Sequence, residues 1–319
     1  MILSIIIVNY NQKNFLKECL KNILEAKINL SSRNFDFRNS DSPQPSVERL
    51  DQIGEETETT QPFYKRAAPP AGGEIVSNEV RPIWDYEIII VDNNSRDSSK
   101  EFLIESSVKN DKIKIILNKK NFGFAKANNQ GIKKAQGKYV LILNPDIIVL
   151  PDAVEQLYQF METHPEVGIA GPQLLYPNKT IQYSCLRFPR WYMPIFRRTI
   201  LGKLPIAQKA LKKYLMVDFD HQIAKSVDWL LGACLMIRKD VLEKIWFFDE
   251  RFFLYFDDVD LARRVWQAGF EVYYFPLAKM YHFHQRLSAE RSKFPFLFSK
   301  VTWFHCSSAI KYFWKWRGT

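Results

Sequence analysis

The sequence predicts an α/β domain on a Rossmann-like, mostly parallel, doubly wound sheet, followed by a C-terminal acceptor-side, helical extension. Three observations carry this. Apolar runs (Leu3–Val8, Glu87–Val91, Ile113–Leu117, Tyr139–Leu143) alternate with stretches whose apolar residues fall at helical spacing. The runs are nearly continuous, as strands covered on both faces are. Three of them end in polar clusters: Asn9-Tyr10-Asn11, Asp92-Asn93-Asn94-Ser95 and Asn144-Pro145-Asp146. In open α/β sheets, that carboxyl edge is where ligands bind.

The elements follow in order. After the first strand, Asn14 is placed to cap a helix carrying Phe15, Leu16, Cys19, Leu20, Ile23 and Leu24. Residues 29–85 then lose periodicity (SDSPQPS, GEETETTQP, AAPPAGGE), which reads as a long disordered or loosely packed insertion. The second strand leads into a helix capped by Ser95 or Asp97. The third leads through Asn121-Phe122-Gly123-Phe124 into a helix closed by Gly137. Beyond Pro151 come a helix (Ala153–Glu162), a short strand (Val167–Ala170) and a turn at Gly171-Pro172. Arg187–Lys213 is basic, aromatic and proline-bearing without clear periodicity, which suits a flexible acceptor-side or membrane-facing segment. Trp229–Arg238 is strand-like around Gly232-Ala233. A helix beginning near Asp257 ends at Gly269, and Glu271–Phe275 is a further strand. Residues 1–284 are expected to form one domain and 285–319 an aromatic, basic extension.

Bulk properties narrow the function. With 319 residues, 46% hydrophobic, the chain buries a sizeable core. Its formal charge of +10 suits an anionic partner such as a nucleotide diphosphate or a membrane surface. Nothing resembles a nucleic-acid module. The four scattered cysteines form no CxxC pair, which argues against a disulfide framework or structural zinc. No run reaches membrane-spanning length and no signal peptide is evident, so the expected location is cytoplasmic, peripheral at the inner face of the plasma membrane.

The polar strand ends read as one crevice. Asp92 is suited to accept hydrogen bonds from a base or ribose, or to cap the next helix. Asp146 is suited to hold a hard cation against a diphosphate, although Asn-Pro also starts turns. Asp257, Asp258 and Asp260 open a helix, whose N-terminus favours their ionised forms while mutual repulsion raises at least one pKa. A carboxylate raised in this way serves as a general base; plain N-terminal helix charge explains Asp260 well but the adjacent Asp257-Asp258 pair less well. His282 and His284 alternate and so share a strand face. His282 is favoured as a metal ligand, with His284 as the fallback.

Seven segments together resemble family 2 glycosyltransferases of the GT-A fold, in the rhamnosyltransferase-like branch that builds surface polysaccharides. They are VNYN (Val8–Asn11), VDNNSRDSS (Val91–Ser99), NFGFAKANNQGI (Asn121–Ile132), LNPD (Leu143–Asp146), WLLGACLMIRKDV (Trp229–Val241), FDERFFLYFDDVDLARR (Phe248–Arg264) and YYFPLAKMYHFH (Tyr273–His284). The tail FHCSSAIKYFWKW resembles that branch's terminal helix. The resemblance implies inverting transfer from a nucleotide-diphospho-sugar, dTDP- or UDP-linked, to a glycan or lipid-linked acceptor, with Mg²⁺ or Mn²⁺. It implies Asp258 as the catalytic base. It places Asn9, Tyr10, Asn11, Asp92, Asn94, Asn121, Gly123, Lys126, Asn144 and Asp146 on the donor. Trp229, Gly232, Ala233 and Asp257 fall on the acceptor side, and Asp146 with His282 at the metal.

Four departures stand out. Asn144 leaves one carboxylate in the DxD-type motif. Trp246-Phe247 replaces Gly-Gly before FDE, and Asp257-Asp258 replaces Glu-Asp. The insertion also replaces a short link near the nucleotide edge. A non-catalytic nucleotide-sugar or polysaccharide-assembly binding protein is therefore the competing reading. A sugar-phosphate nucleotidyltransferase is discounted, because no Gly-rich basic loop follows the first strand.

Overall fold

The computed structural model describes residues 1–25, 85–283 and 300–318. The insertion expected at 29–85 lies, except for Asp85, outside the described residues, as do His284 and the tail's Phe294, Phe296 and Phe298. The first part runs β1 (Leu3–Asn9), α1 (Lys13–Glu25), β2 (Tyr86–Asp92), α2 (Ser99–Lys109), β3 (Ile113–Leu117), α3 (Phe124–Ile132), β4 (Tyr139–Leu143). It continues with β5 (Ile147–Val149), α4 (Ala153–Thr163), β6 (Val167–Leu175), β7 (Ile181–Gln182) and β8 (Cys185–Leu186). An arm of α5 (Met193–Arg198), a 3₁₀ turn (Ile200–Lys203) and α6 (Pro205–Tyr214) follows. The rest is β9 (Lys225–Ser226), β10 (Trp229–Leu230), β11 (Cys234–Arg238), α7 (Lys239–Lys244), α8 (Asp257–Gln267), β12 (Glu271–His282) and α9 (Lys300–Lys315).

The main sheet has the order β3-β2-β1-β4-β11-β6-β12-β5. It is parallel from β3 through β4 and again between β6 and β12; β11 is inserted antiparallel between β4 and β6. Strand residues alternate between two cores. Ile6, Ile89, Val140 and Ile142 face the layer of α3, α8 and α9, where Ala125, Leu261 and Tyr312 pack. Ile5, Ile7, Ile88, Ile90, Leu141 and Leu143 face Leu16, Leu20, Leu103 and Leu157 of α1, α2 and α4. Covering both faces is what requires continuous apolar strands.

Several local expectations are corrected. Asn14 does not start α1; the helix begins at Lys13, whose N–H donates to Asp97 Oδ2 at 2.9 Å. Asp97 also accepts from Ser99 N at 3.3 Å, so it serves two helix starts, whereas Ser98 is the α2 N-cap position. Gly137 lies beyond the α3 C-cap at Lys133. Its absent side chain is needed because a Cβ would meet Ser4 N at 2.6 Å. The turn expected at Gly171-Pro172 is instead the middle of β6, and Pro172 stands opposite Phe275, where the register with β12 shifts. A bulge tolerates the missing N–H. Trp229–Arg238 is two strands in two sheets, divided at Leu231-Gly232-Ala233. The segment expected to be flexible, Arg187–Lys213, holds the helices α5 and α6.

Candidate active site

The carboxyl ends of β2, β1 and β4 lie side by side, with Asn9 in register with Asp92 and Ile7 with Leu143. Asn9 is buried; its Nδ2 donates to Asp92 Oδ1 and to Ser95 Oγ, both at 3.0 Å. Ser95 N donates to Asp92 Oδ2 at 2.9 Å and Asn11 N to Ser95 Oγ at 2.9 Å. Arg96 N closes the ring on Asn11 Oδ1 at 2.7 Å. Asn11 and Asn94 take left-handed backbone, φ 54 and 70, which asparagine tolerates better than most side chains. Asp92 therefore organises its own turn and does not cap α2. Asn9 Oδ1 is buried without a hydrogen-bond partner among the described residues. Tyr10 is exposed beside this network.

A second loop joins from β3. Asn93 is buried and binds Asn121 Oδ1 at 2.8 Å through Nδ2, while its Oδ1 accepts from Phe122 N at 3.0 Å. Gly123 has φ +84, and a Cβ there would lie 2.4 Å from Phe253 O. Only glycine lets this loop close on the Phe252–Phe256 segment, where Phe124 N donates to Phe253 O at 2.8 Å. Lys126 faces Glu250 at 3.4 Å. Asn129 clamps the same region by exchanging hydrogen bonds with Phe248 N and O at 3.0 and 2.9 Å.

The Asn144-Pro145-Asp146 turn is tied to the next part of the site, since Asn144 N donates to Ala233 O at 2.8 Å. Asp146 and His282 are buried, with His282 Nε2 3.5 Å from Asp146 Oδ1. Phe283 N holds the Asp146 carbonyl at 2.9 Å. Gln182 Oε1 lies 2.8 Å from His282 Nδ1; as an acceptor it places the proton there and the lone pair on Nε2. A carboxylate oxygen and an imidazole lone pair then face each other, as two ligands of one divalent cation would. Among the described residues no group of three or more His, Cys, Asp or Glu could hold a metal. The donor set is two, which fits a hard cation that completes its shell with phosphate oxygens and water.

Asp258 lies on the other side of Ala233. Its Oδ2 accepts from Gly232 N at 3.0 Å and its Oδ1 from Val259 N at 2.9 Å. A Cβ on Gly232 would stand 3.2 Å from the Asp258 Cβ. Burial pushes the Asp258 carboxyl up to about 6, against backbone donors led by Gly232 and Val259 and the Arg197 charge, which pull it down. Asp257 is buried, and burial plus its neighbour Asp258 raise its carboxyl well above the usual carboxylate range. Tyr255 and Phe256, at φ 67 and 63, turn the chain sharply into α8. Left-handed backbone at two aromatic residues is strain of the kind that functional sites store. Asp260 plays a structural part instead, since it is buried and holds Arg264, Lys315 and the Trp316 indole. It binds α9 to α8.

Trp229 does not face a ligand space. It is buried, and its indole N–H donates to Arg187 O at 2.8 Å, which anchors the start of the arm. Three residues carry roles that the sequence does not single out, Asn129, Gln182 and Arg197, and Asn93 is visible only as part of the polar end of β2. The Arg197 guanidinium lies 5.7 Å over the Tyr214 ring and its charge reaches Asp258. Asn93 and Asn129 sit inside VDNNS and AKANN, where equally polar neighbours mask their separate roles.

The chain matches the family model of glycosyl transferase family 2 over residues 76–246, more than half its length. It belongs to that family. The matched span includes Asp92 and Asp146 and ends before Asp258 and His282. An N-acetylglucosaminyl-diphospho-decaprenol L-rhamnosyltransferase of Mycobacterium tuberculosis is 24% identical over 213 residues, covering 63% of this chain and 67% of that one. The rhamnosyltransferase WbbL of Escherichia coli is 24% identical over 207 residues, covering 60% of this chain and 70% of WbbL. The crystal structure of GalNAc-T7 with UDP, GalNAc and Mn²⁺ superposes with TM-score 0.60 at 14% identity, over 98% of this chain. This chain spans about half of it (47%). The fold is that of the GT-A glycosyltransferases.

Proposed function

We propose that this family 2 glycosyltransferase moves rhamnose or a similar sugar from a dTDP- or UDP-linked donor to a hydroxyl of a glycan or lipid-linked acceptor, with inversion. Both rhamnosyltransferase relatives support the sugar, and the Mycobacterium tuberculosis enzyme, named for a diphospho-decaprenol substrate, supports a lipid-linked acceptor. The observation that carries the mechanism is Asp258, held by Gly232 N–H and raised to about 6, next to the peptide that anchors the Asp146 turn.

Asp258 accepts the acceptor hydroxyl's proton as that oxygen bonds to the anomeric carbon. The carbon–oxygen bond to the diphosphate breaks on the opposite face, and the nucleoside diphosphate leaves with the electron pair. No covalent enzyme intermediate forms. A base with a pKa near the working pH is both ionised and basic enough for this step. Asp92 orients the nucleoside, with Asn9, Asn11, Asn94, Asn121 and Lys126 around it. Asp146 and His282 would hold Mg²⁺ or Mn²⁺, whose charge offsets that developing on the leaving diphosphate.

Among the described residues no helix is long and apolar enough to cross a membrane. A lipid-linked acceptor then requires the protein to work at the membrane surface. The test is a thermal-shift and transfer screen across nucleotide sugars, with Mn²⁺ and with EDTA. One donor class should stabilise the protein and turn over only with the cation. Turnover untouched by EDTA would remove the metal from the reaction. Tight donor binding without turnover on any acceptor would favour the nucleotide-sugar binding protein.

A further inference from the structure

We propose that the arm from Arg187 to Val217 is a docking surface for an anionic lipid bilayer. Across these residues the chain carries eight Lys and Arg and no Asp or Glu. The arm also exposes six large apolar side chains: Trp191 69%, Ile195 41%, Ile200 81%, Leu201 47%, Leu204 48% and Ile206 75%. Six such residues within sixteen positions, all interleaved with cations, is the composition of an element lying in the headgroup region. The arm's inner side is fixed to the protein. Ala207, Tyr214 and Met216 are buried, Trp229 holds Arg187 O, and Asp228 Oδ2 accepts from Phe188 N at 2.7 Å. The exposed residues therefore face outward from a firmly seated base.

An anionic bilayer fits better than a protein partner for two reasons. The charge is one-sided along the whole arm, and the exposed apolar groups recur from α5 through the 3₁₀ turn to α6 rather than clustering at one point. Position supplies the purpose. Arg197 and Tyr214 sit on the arm beside Asp258, so a hydroxyl emerging from the bilayer under the arm would meet the base. On α9, Trp303, Ile310 and Trp314, exposed at 72%, 69% and 67%, follow a 7,4 spacing along one side. Arg263 of α8 stacks on Phe188 of the arm and on Trp316 of α9, at 5.3 and 4.7 Å. The aromatic tail is thus divided: Tyr312 and Trp316 are buried against α8, and the Trp303 side supplements the arm. Docking itself does not depend on the proposed reaction; only its use in acceptor delivery rests on that reading.

The experiment is flotation of the full chain with vesicles of phosphatidylcholine alone or with about 30% phosphatidylglycerol, at low and high salt. Binding is expected to the anionic vesicles and to weaken with salt. Each basic residue near such a surface is worth about fivefold, so K203E/K209E/K212E should weaken binding about a hundredfold or more. I200S/I206S should weaken it about tenfold, because the apolar contact is lost while charge is kept. Both sets lie at exposed positions, and unchanged circular dichroism and nucleotide-sugar binding confirm folding. No preference for anionic vesicles overturns the proposal. A charge-dependent association indifferent to I200S/I206S overturns it in favour of a soluble polyanion. Loss on W303S/W314S with none on the arm variants moves the seat to α9 and also overturns it. Transfer to a water-soluble acceptor retained by the arm variants, with transfer to a bilayer-embedded acceptor lost, supports both docking and reaction. Docking without any sugar transfer leaves the surface standing and refutes the reaction.

Discussion

Gly232→Ala offers a graded perturbation of the base. The added methyl would stand 3.2 Å from Asp258 Cβ, 3.3 Å from Oδ2 and 3.6 Å from Cγ. Comfortable contact needs a few tenths of an ångström more, and Asp258 is the group that must give. Gly232 takes no left-handed backbone, so alanine is conformationally tolerated. The stability cost should be about 1 kcal/mol or less. Catalysis should suffer more. A displacement of about 1 Å costs roughly a hundredfold, so a few tenths corresponds to about three- to tenfold in kcat/KM. The same shift stretches the 3.0 Å hydrogen bond from Gly232 N–H, the strongest of the backbone donors that favour the ionised carboxylate. Weakening it by about 0.7 kcal/mol raises the carboxyl by roughly half a unit. A base works deprotonated, so activity rises with pH through its pKa. The acid limb of the pH–rate profile, expected near 6 in the parent, should therefore move to higher pH. The assay is kcat/KM for sugar transfer between pH 5 and 8. Lower activity with an unmoved acid limb would refute the link between Gly232 and the proton acceptor.

Asp257→Asn should stabilise the protein at pH 8 by about 1 kcal/mol. The folded-state pKa of Asp257 is raised, so wild type pays for ionisation as pH rises above the unfolded value near 4, and thermal melts at pH 4 should show the gain gone. Trp246→Gly should add about 0.5–1 kcal/mol, because an 85% exposed tryptophan at φ 63 gives way to the residue that adopts this backbone freely. Urea unfolding would read it. Lys315→Met should cost about 2 kcal/mol, since Nζ lies 2.7 Å from the fully buried Asp260 and 2.9 Å from Asp249, and methionine leaves Asp260 only Arg264 and Trp316. An unchanged urea midpoint would mean that α9 is not held by this network.

The parallel half of the sheet was legible because both faces are covered, which turns β1, β2 and β4 into unbroken apolar runs. The polar strand ends were legible for the same reason: they interrupt those runs at one edge. Gly171-Pro172 looked like a turn because local chemistry says so, and only the shifted pairing with β12 lets a strand pass through it. Gly137 looked like a helix end, but Ser4, 133 residues earlier, decides its role. Gln182 gave no signal at all: one polar residue in a two-residue strand, meeting His282 100 residues later. Arg197 was hidden among equally basic neighbours, and only α5 sets it beside Tyr214 and Asp258. Trp246-Phe247 was visible as a departure from Gly-Gly, and the structure keeps left-handed backbone at both positions, φ 63 and 59. The substitution is accommodated as strain.

The central claim is that Asp258 takes the acceptor's proton. Single-turnover sugar transfer by Asp258→Asn, with donor affinity measured on the same protein, addresses it directly. The expected result is a fall of about 10²–10⁴-fold in the transfer rate with nucleotide-sugar binding unchanged within about twofold. Transfer at near the wild-type rate would contradict it.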